Sequence, residues 1–163
     1  MEIRKATTCD LSRILEIYAD ARVFMAESGN PNQWAGVYPA ESDVLYDISL
    51  SRLYVCCEGE RILGVFCYFK GNDPTYDYIE DGEWLNDDCY GVMHRVATSK
   101  EARGLGVASL CFSYSFADCG NLKIDTHRDN VPMQRALLKN GFSRCGIIYL
   151  ANGEERIAFQ RAK

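Results

Sequence analysis

Apolar positions along the chain change their period several times, and each change marks an element. Ile3 to Ala6 reads as a short strand. Thr7, Thr8 and Asp10 supply helix-start side chains, and Leu11, Ile14, Leu15 and Tyr18 follow at helical spacing. That helix is expected to run to about Glu27 and to stop before Ser28-Gly29-Asn30-Pro31. A loop from Asn32 to Ala40 carries Trp34 and Tyr38, and a second helix is expected over Glu41 to Leu50. Leu53 to Glu58 and Ile62 to Lys70 read as strands around the Gly59-Glu60 turn. Residues 71–88 read as loop, with a short strand at Tyr76 to Ile79, and Gly91 to Thr98 as a further strand. Arg103-Gly104-Leu105-Gly106 turns the chain into a helix over Val107 to Cys119, closed by Gly120. Leu122 to Thr126 is a strand. Asn130 caps a helix with Pro132 in its first turn and Gly141 at its end. Ile147 to Leu150 and Arg156 to Gln160 are strands joined through Asn152-Gly153.

This order predicts an α/β fold with one mixed, mostly antiparallel central sheet of six to seven strands, flanked by about four helices. With 163 residues and no repeat, linker or low-complexity segment, a single domain over 1–163 is expected.

Composition narrows the function. A net charge of −5 argues against nucleic acid, which is held by clustered Lys and Arg. No apolar run approaches the roughly 20 residues that span a bilayer, and the N-terminal MEIRKATTCD has no apolar signal core. A cytoplasmic protein without a membrane partner is expected. The eight cysteines include no Cys-x-x-Cys pair, so they read as reduced core residues and no metal is expected. Cys89, beside acidic residues, is badly placed for a reactive thiol.

The segment from His94 to Ser109 is strand, Gly-rich turn, helix. A helix N-terminus exposes amides without intrahelical partners and the positive end of the macrodipole, and glycines let an anion approach. A turn needing Gly for steric reasons alone has the same pattern. A P-loop is excluded because Gly-Lys-Ser/Thr is absent, and a dinucleotide fingerprint because Ser109 stands where its third Gly belongs.

Arg103-x-x-Gly106-x-Ala108 resembles the Arg/Gln-x-x-Gly-x-Gly/Ala signature of GNAT acetyltransferases. Val92 to Phe142 keeps that family's order of strand, pyrophosphate loop, helix, strand, helix, Gly-Phe, with Asn130 leading the last helix into Gly141-Phe142. Residues 1–70 resemble the family more weakly, by element order. The resemblance implies acetyl-CoA as acyl donor. It implies that the backbone of Val96, Ala97 and Thr98 pairs with the pantetheine arm, and that Asn130 contacts the pantetheine side. Arg103, Gly104, Leu105, Gly106, Val107, Ala108 and Ser109 would surround the pyrophosphate.

Amine acetylation needs a base for the amine proton. His94 lies two positions before Val96 on the cofactor strand, which puts both on one strand face. Histidine exchanges protons near neutral pH, and this position is similar to a strand histidine of aralkylamine N-acetyltransferases. A structural histidine is the alternative. Asp125, five residues before Asn130, is spaced like the general-base Glu of ribosomal-protein alanine acetyltransferases, with a shorter side chain. His127 reads as structural or cofactor-edge. Many GNAT enzymes carry a Tyr seven residues after the Asn as the acid for the leaving thiolate; here Leu137 stands there. Tyr149 and Tyr114 are the other candidate acids.

Residues 73–88 hold Asp73, Asp77, Glu80, Asp81, Glu83, Asp87 and Asp88 and no Lys or Arg. Such a loop would steer a cationic amine inward, or is simply a solvated surface. Trp34, Tyr38 and Trp84 are loop aromatics that either line an acceptor site or cap the core. The leading expectation is acetyl transfer from acetyl-CoA to a primary amine of a small molecule or peptide by direct attack. A non-enzymatic acyl-CoA-binding module and a structural or partner-binding domain are the alternatives. The last hairpin could also pair two copies into a homodimer.

Overall fold

A polar cluster starts the first helix. The Asp10 carboxylate accepts from the Thr7 amide at 2.8 Å and the Thr7 hydroxyl at 3.2 Å, and both its oxygens meet the Arg4 guanidinium at 2.8 Å. The helix behind it then presents Ile14, Ile17, Tyr18, Ala21 and Met25 to the interior, one stripe at helical spacing.

In the computed structural model, which describes residues 1–163, the elements are β1 (Glu2–Lys5), α1 (Leu11–Glu27), α2 (Glu41–Ser49), β2 (Leu53–Glu58), β3 (Arg61–Lys70), β4 (Gly91–Thr98), α3 (Val107–Cys119), β5 (Asn121–Thr126), α4 (Val131–Lys139), β6 (Ser143–Tyr149) and β7 (Glu155–Ala162). The seven strands are hydrogen-bonded in the order β1-β2-β3-β4-β5-β7-β6. The pairs β1–β2, β2–β3, β5–β7 and β6–β7 are antiparallel and β4–β5 is parallel, so the sheet is mixed, as the element order predicted.

The chain's contacts group into two compact units, residues 1–68 with 95–111 and residues 69–94 with 112–163. The first has its core in Ile14, Ile17, Tyr18, Leu53, Val55 and Phe66, all almost fully buried. There Gly64 on β3 permits a close approach: a Cβ on it would lie 2.5 Å from Val107 Cγ1, at the start of α3. The second unit packs Phe69, Ile79, Trp84, Tyr90 and Leu150 around buried Tyr76, Val92, Ile148 and Ala158. The β4–β5 ladder within it covers Gly91–Met93 against Leu122–Ile124.

Two expectations need correction. Tyr76 to Ile79 is not a strand. The Asp73 side chain caps a 3₁₀ turn over Pro74–Tyr76, and the pairing that follows is an isolated bridge between Glu80 and Ile147. Strand β6 begins at Ser143, four residues before the expected Ile147, and bulges between Arg144 and Gly146. All eight cysteines are free, five of them buried.

The Asp10 cluster carries a prediction. Its bonds, those from Arg4 first, hold the Asp10 carboxyl down at about 2, below the ordinary 3.8. A depressed folded pKa means stability that is present above the unfolded value and lost as pH falls through the folded one. Asp10→Asn should cost about 1–2 kcal/mol at pH 7 and progressively less as pH falls from about 4 towards 2. Urea unfolding of both proteins across that range checks it.

Candidate functional site

Two constellations carry chemistry, one in each unit. In the first, β4 runs into a 3₁₀ turn over Lys100–Ala102, then the glycine turn, then α3. The Ser99 amide donates to the Leu63 carbonyl at 2.8 Å and ties the turn to β3. Gly104 and Gly106 have φ of +81° and +83°, the left-handed region that side chains with a Cβ enter at a cost. The Gly106 carbonyl accepts the first intrahelical bond, from the Leu110 amide at 3.0 Å. The amides of Val107 and Ala108 are therefore in the helix's opening turn, where no intrahelical acceptor exists. A Cβ at Gly104 or Gly106 would meet nothing within 4 Å, so there is open space beside this turn. The Arg103 side chain is engaged elsewhere: its guanidinium lies 4.3 Å from the Phe24 ring centre and donates to the Asp20 carbonyl at 3.2 Å. Of the cofactor-strand residues, Ala97 is buried while Val96 and Thr98 are half-buried.

The shared face inferred for His94 and Val96 does not survive the intervening residue. Arg95 has φ +51°, and side-chain alternation requires extended backbone at every position. This left-handed arginine is itself anchored. Its guanidinium pairs with Asp47 through Nε and Nη2 at 2.8 and 2.7 Å, Nη1 donates to the Tyr38 hydroxyl at 3.0 Å, and its carbonyl accepts from Tyr18 at 3.0 Å. Burial opposes its charge, but Tyr38, Cys67 and Asp47 outweigh that and hold the proton more tightly than usual. Trp34 stands edge-on to both Tyr18 and Tyr38, with ring centres 5.5 and 6.4 Å apart. Two of the expected acceptor aromatics, Trp34 and Tyr38, thus meet around Arg95. Sequence reasoning missed Arg95 and Asp47, which lie 48 positions apart.

The second constellation surrounds His94. Its Nε2 is 2.8 Å from Asp73 Oδ2, and its Nδ1 is 3.8 Å from Asp125 Oδ2. The same Asp125 oxygen accepts from the Tyr76 hydroxyl at 2.7 Å. The imidazole lies against the rings of Phe69 and Tyr76, centres 6.3 and 6.1 Å away, and retains 24% of its side-chain exposure. Asp73 is held on all sides. Its Oδ1 accepts from the Thr75 amide at 3.0 Å and hydroxyl at 2.7 Å, and its own amide donates to the Tyr90 hydroxyl at 3.1 Å. Burial pushes the Asp73 carboxyl up, but the bonds from His94 and Thr75 prevail and bring it to about 2. Burial first, then the Asp125 charge, raises the Tyr76 hydroxyl well above its ordinary range. The structure thus brings the two expected acid–base candidates, His94 and Asp125, together and adds Asp73. The Asp-Pro-Thr capping signal marks Asp73 as a turn residue; its partner 21 positions on has no sequence signal.

The remaining candidates have defined places. Trp84 donates Nε1 to the Tyr76 carbonyl at 2.9 Å, packs on the core, and with Tyr90 sandwiches the Lys123 ammonium at 4.1 and 3.9 Å. The Asn130 Oδ1 caps α4 by accepting from the Met133 amide at 3.2 Å. His127 accepts the Asp129 amide on Nδ1 at 3.0 Å, and burial, then Arg156, lower its pKa. Leu137 is fully buried. Tyr149 donates to Glu80 at 2.5 Å, which pushes its hydroxyl up to about 12, and Tyr114 is exposed on α3. No group of three or more His, Cys, Asp or Glu is arranged to hold a metal ion, and no helix is long and apolar enough to cross a membrane.

The sequence pattern of the Acetyltransferase (GNAT) family matches residues 13–142. Among solved structures, an acetyltransferase of the GNAT family from Streptococcus agalactiae 2603 superposes with TM-score 0.92 at 30% identity, over 99% of this chain and 95% of that one. A Staphylococcus aureus Mu50 protein described as an acetyltransferase follows at TM-score 0.71 and 25% identity, over 99% of both chains. The GNAT-like decarboxylase GphF, solved with isobutyryl-CoA, shares the fold at TM-score 0.67 and 14% identity, over 99% of both chains. No curated protein matches the sequence significantly. The chain belongs to the GNAT acetyltransferase family, whose fold binds acyl-CoA and whose chemistry is acyl transfer from it.

Proposed function

We propose that this protein transfers the acetyl group of acetyl-CoA to the primary amine of a small molecule or peptide by direct attack. The observation that carries the reading is the partly buried His94 imidazole, 3.8 Å from the Asp125 carboxylate, on the strand that leads into the glycine turn. A fold alone does not choose a reaction, and a related fold serves a decarboxylase. A base beside a carboxylate is what an arriving ammonium group requires.

The backbone amides from Gly104 to Ser109 hold the pyrophosphate, aided by the α3 dipole. The backbone of Val96 to Thr98 pairs with the pantetheine arm. His94 takes one proton from the bound ammonium. The freed nitrogen lone pair attacks the thioester carbonyl, the C–N bond forms, and the C–S bond breaks with its electrons leaving on sulfur. The second amine proton is lost as the amide forms, and water or the His94 imidazolium returns a proton to the CoA thiolate. Exposed Asp77, Asp81, Glu83, Asp87 and Asp88 attract cations.

A panel of amines of matched shape, cationic and neutral, followed by mass spectrometry of the acetylated product, tests this. Cationic primary amines should give kcat/KM at least about tenfold higher, an advantage that shrinks with added salt. Equal rates would remove the acidic loop from the reading. The buried Leu137, in place of the family's acid, favours one second reading, a non-enzymatic acyl-CoA-binding module. Binding of acetyl-CoA without turnover of any amine would select it.

A further inference from the structure

We infer that Asp73 is a positioning residue that fixes His94 as the Nε2–H tautomer, leaving Nδ1 and the Asp125 Oδ2 as a two-point acceptor for one protonated primary amine. This rests on the reading of His94 as the base.

The direction of the Asp73–His94 bond follows from charge. Asp73 is ionised at any pH where the protein works, and a carboxylate only accepts, so Nε2 must donate. In the neutral ring the lone pair then lies on Nδ1, which faces Asp125 across 3.8 Å. That gap is too long for a direct hydrogen bond. A nitrogen about 2.8 Å from each atom closes the triangle, and two of its N–H bonds can reach both acceptors with bends of roughly 10° each. The Tyr76 hydroxyl also donates to this Asp125 oxygen, at 2.7 Å, and holds it in place. The groups facing the ring are therefore two carboxylates, the neutral Tyr76 hydroxyl and Phe69, a surrounding that suits an incoming cation. When Nδ1 accepts the proton, the Asp73 carboxylate stabilises the imidazolium without taking the proton itself.

Nitrogen-15 NMR of the neutral imidazoles reads this without substrate. The chain has only two histidines, and a His127→Asn variant assigns them. His127 also keeps Nδ1 as an acceptor, so both rings should be Nε2–H in the wild type. Asp73→Asn preserves the turn cap, because its Oδ1 serves Thr75, and this aims its NH₂ at His94. His94 should switch to the Nδ1–H form while His127 stays unchanged. Asp73→Ser keeps a cap but cannot reach His94, which should then populate both forms. In turnover, Asp73→Asn should lower kcat for cationic amines about tenfold to a hundredfold with KM for acetyl-CoA unchanged. Asp125→Asn should instead raise KM for the amine. An Nδ1–H wild-type His94, or an Nε2–H form that persists in both folded Asp73 variants, overturns the positioning role. Undiminished turnover in His94→Gln overturns the amine seat together with the catalytic reading, and leaves the tautomer result to speak for Asp73 alone.

Discussion

Gly106→Glu should lower acyl-CoA affinity about a hundredfold or more while the protein stays folded, because like charges brought together cost several kcal/mol and each 1.4 kcal/mol is tenfold. The carboxylate would enter the open space beside the turn, where a Cβ meets nothing within 4 Å. Two effects must be separated. At φ +83° any side chain with a Cβ is strained, by roughly 1–2 kcal/mol. Gly106→Ala carries that strain without the charge and should lose far less affinity. If both variants lose the same, the turn is needed for its shape and not for an anion.

His94→Gln should lower kcat by about 10² to 10⁴, the ordinary worth of a positioned base. The Gln amide fills much of the imidazole's volume against Phe69 and Tyr76 and still donates to Asp73, so the fold should tolerate it. KM for acetyl-CoA should not change, because in the proposed mechanism His94 handles the amine proton and not the donor. Steady-state rates over a range of acetyl-CoA concentrations at saturating amine separate the two parameters.

What the sequence could reveal depended on the range of each interaction. Helix α1 matched its expected span, Leu11–Glu27, because the Thr7–Asp10 turn that leads into it and its apolar stripe are local. The Asn130 cap and the Pro132 first turn of α4 were equally legible. Tyr76 was misread because an apolar Tyr-Asp-Tyr-Ile run looks like a strand, whereas Asp73 and Pro74 set a tight turn and burial of the Tyr76 ring completed it. The start of β6 was hidden by polar Ser143 and Arg144 and by the bulge at Gly146. The site divides the same way. His94, Asp125 and the glycine turn announce themselves by residue type and spacing. Asp73 and the Arg95–Asp47–Tyr38 anchor depend on partners 21 to 57 positions away and on the left-handed backbone at Arg95, which no local pattern encodes.

Titration calorimetry of the purified protein with acetyl-CoA decides most directly whether the glycine turn serves an acyl donor. The heat signal is indifferent to the eight thiols that would confuse a thiol-detecting dye. Saturable one-to-one binding in the wild type, lost in Gly106→Glu and largely kept in Gly106→Ala, is the predicted result. A folded wild-type protein that gives no binding heat at any temperature tried would contradict the acyl-CoA reading.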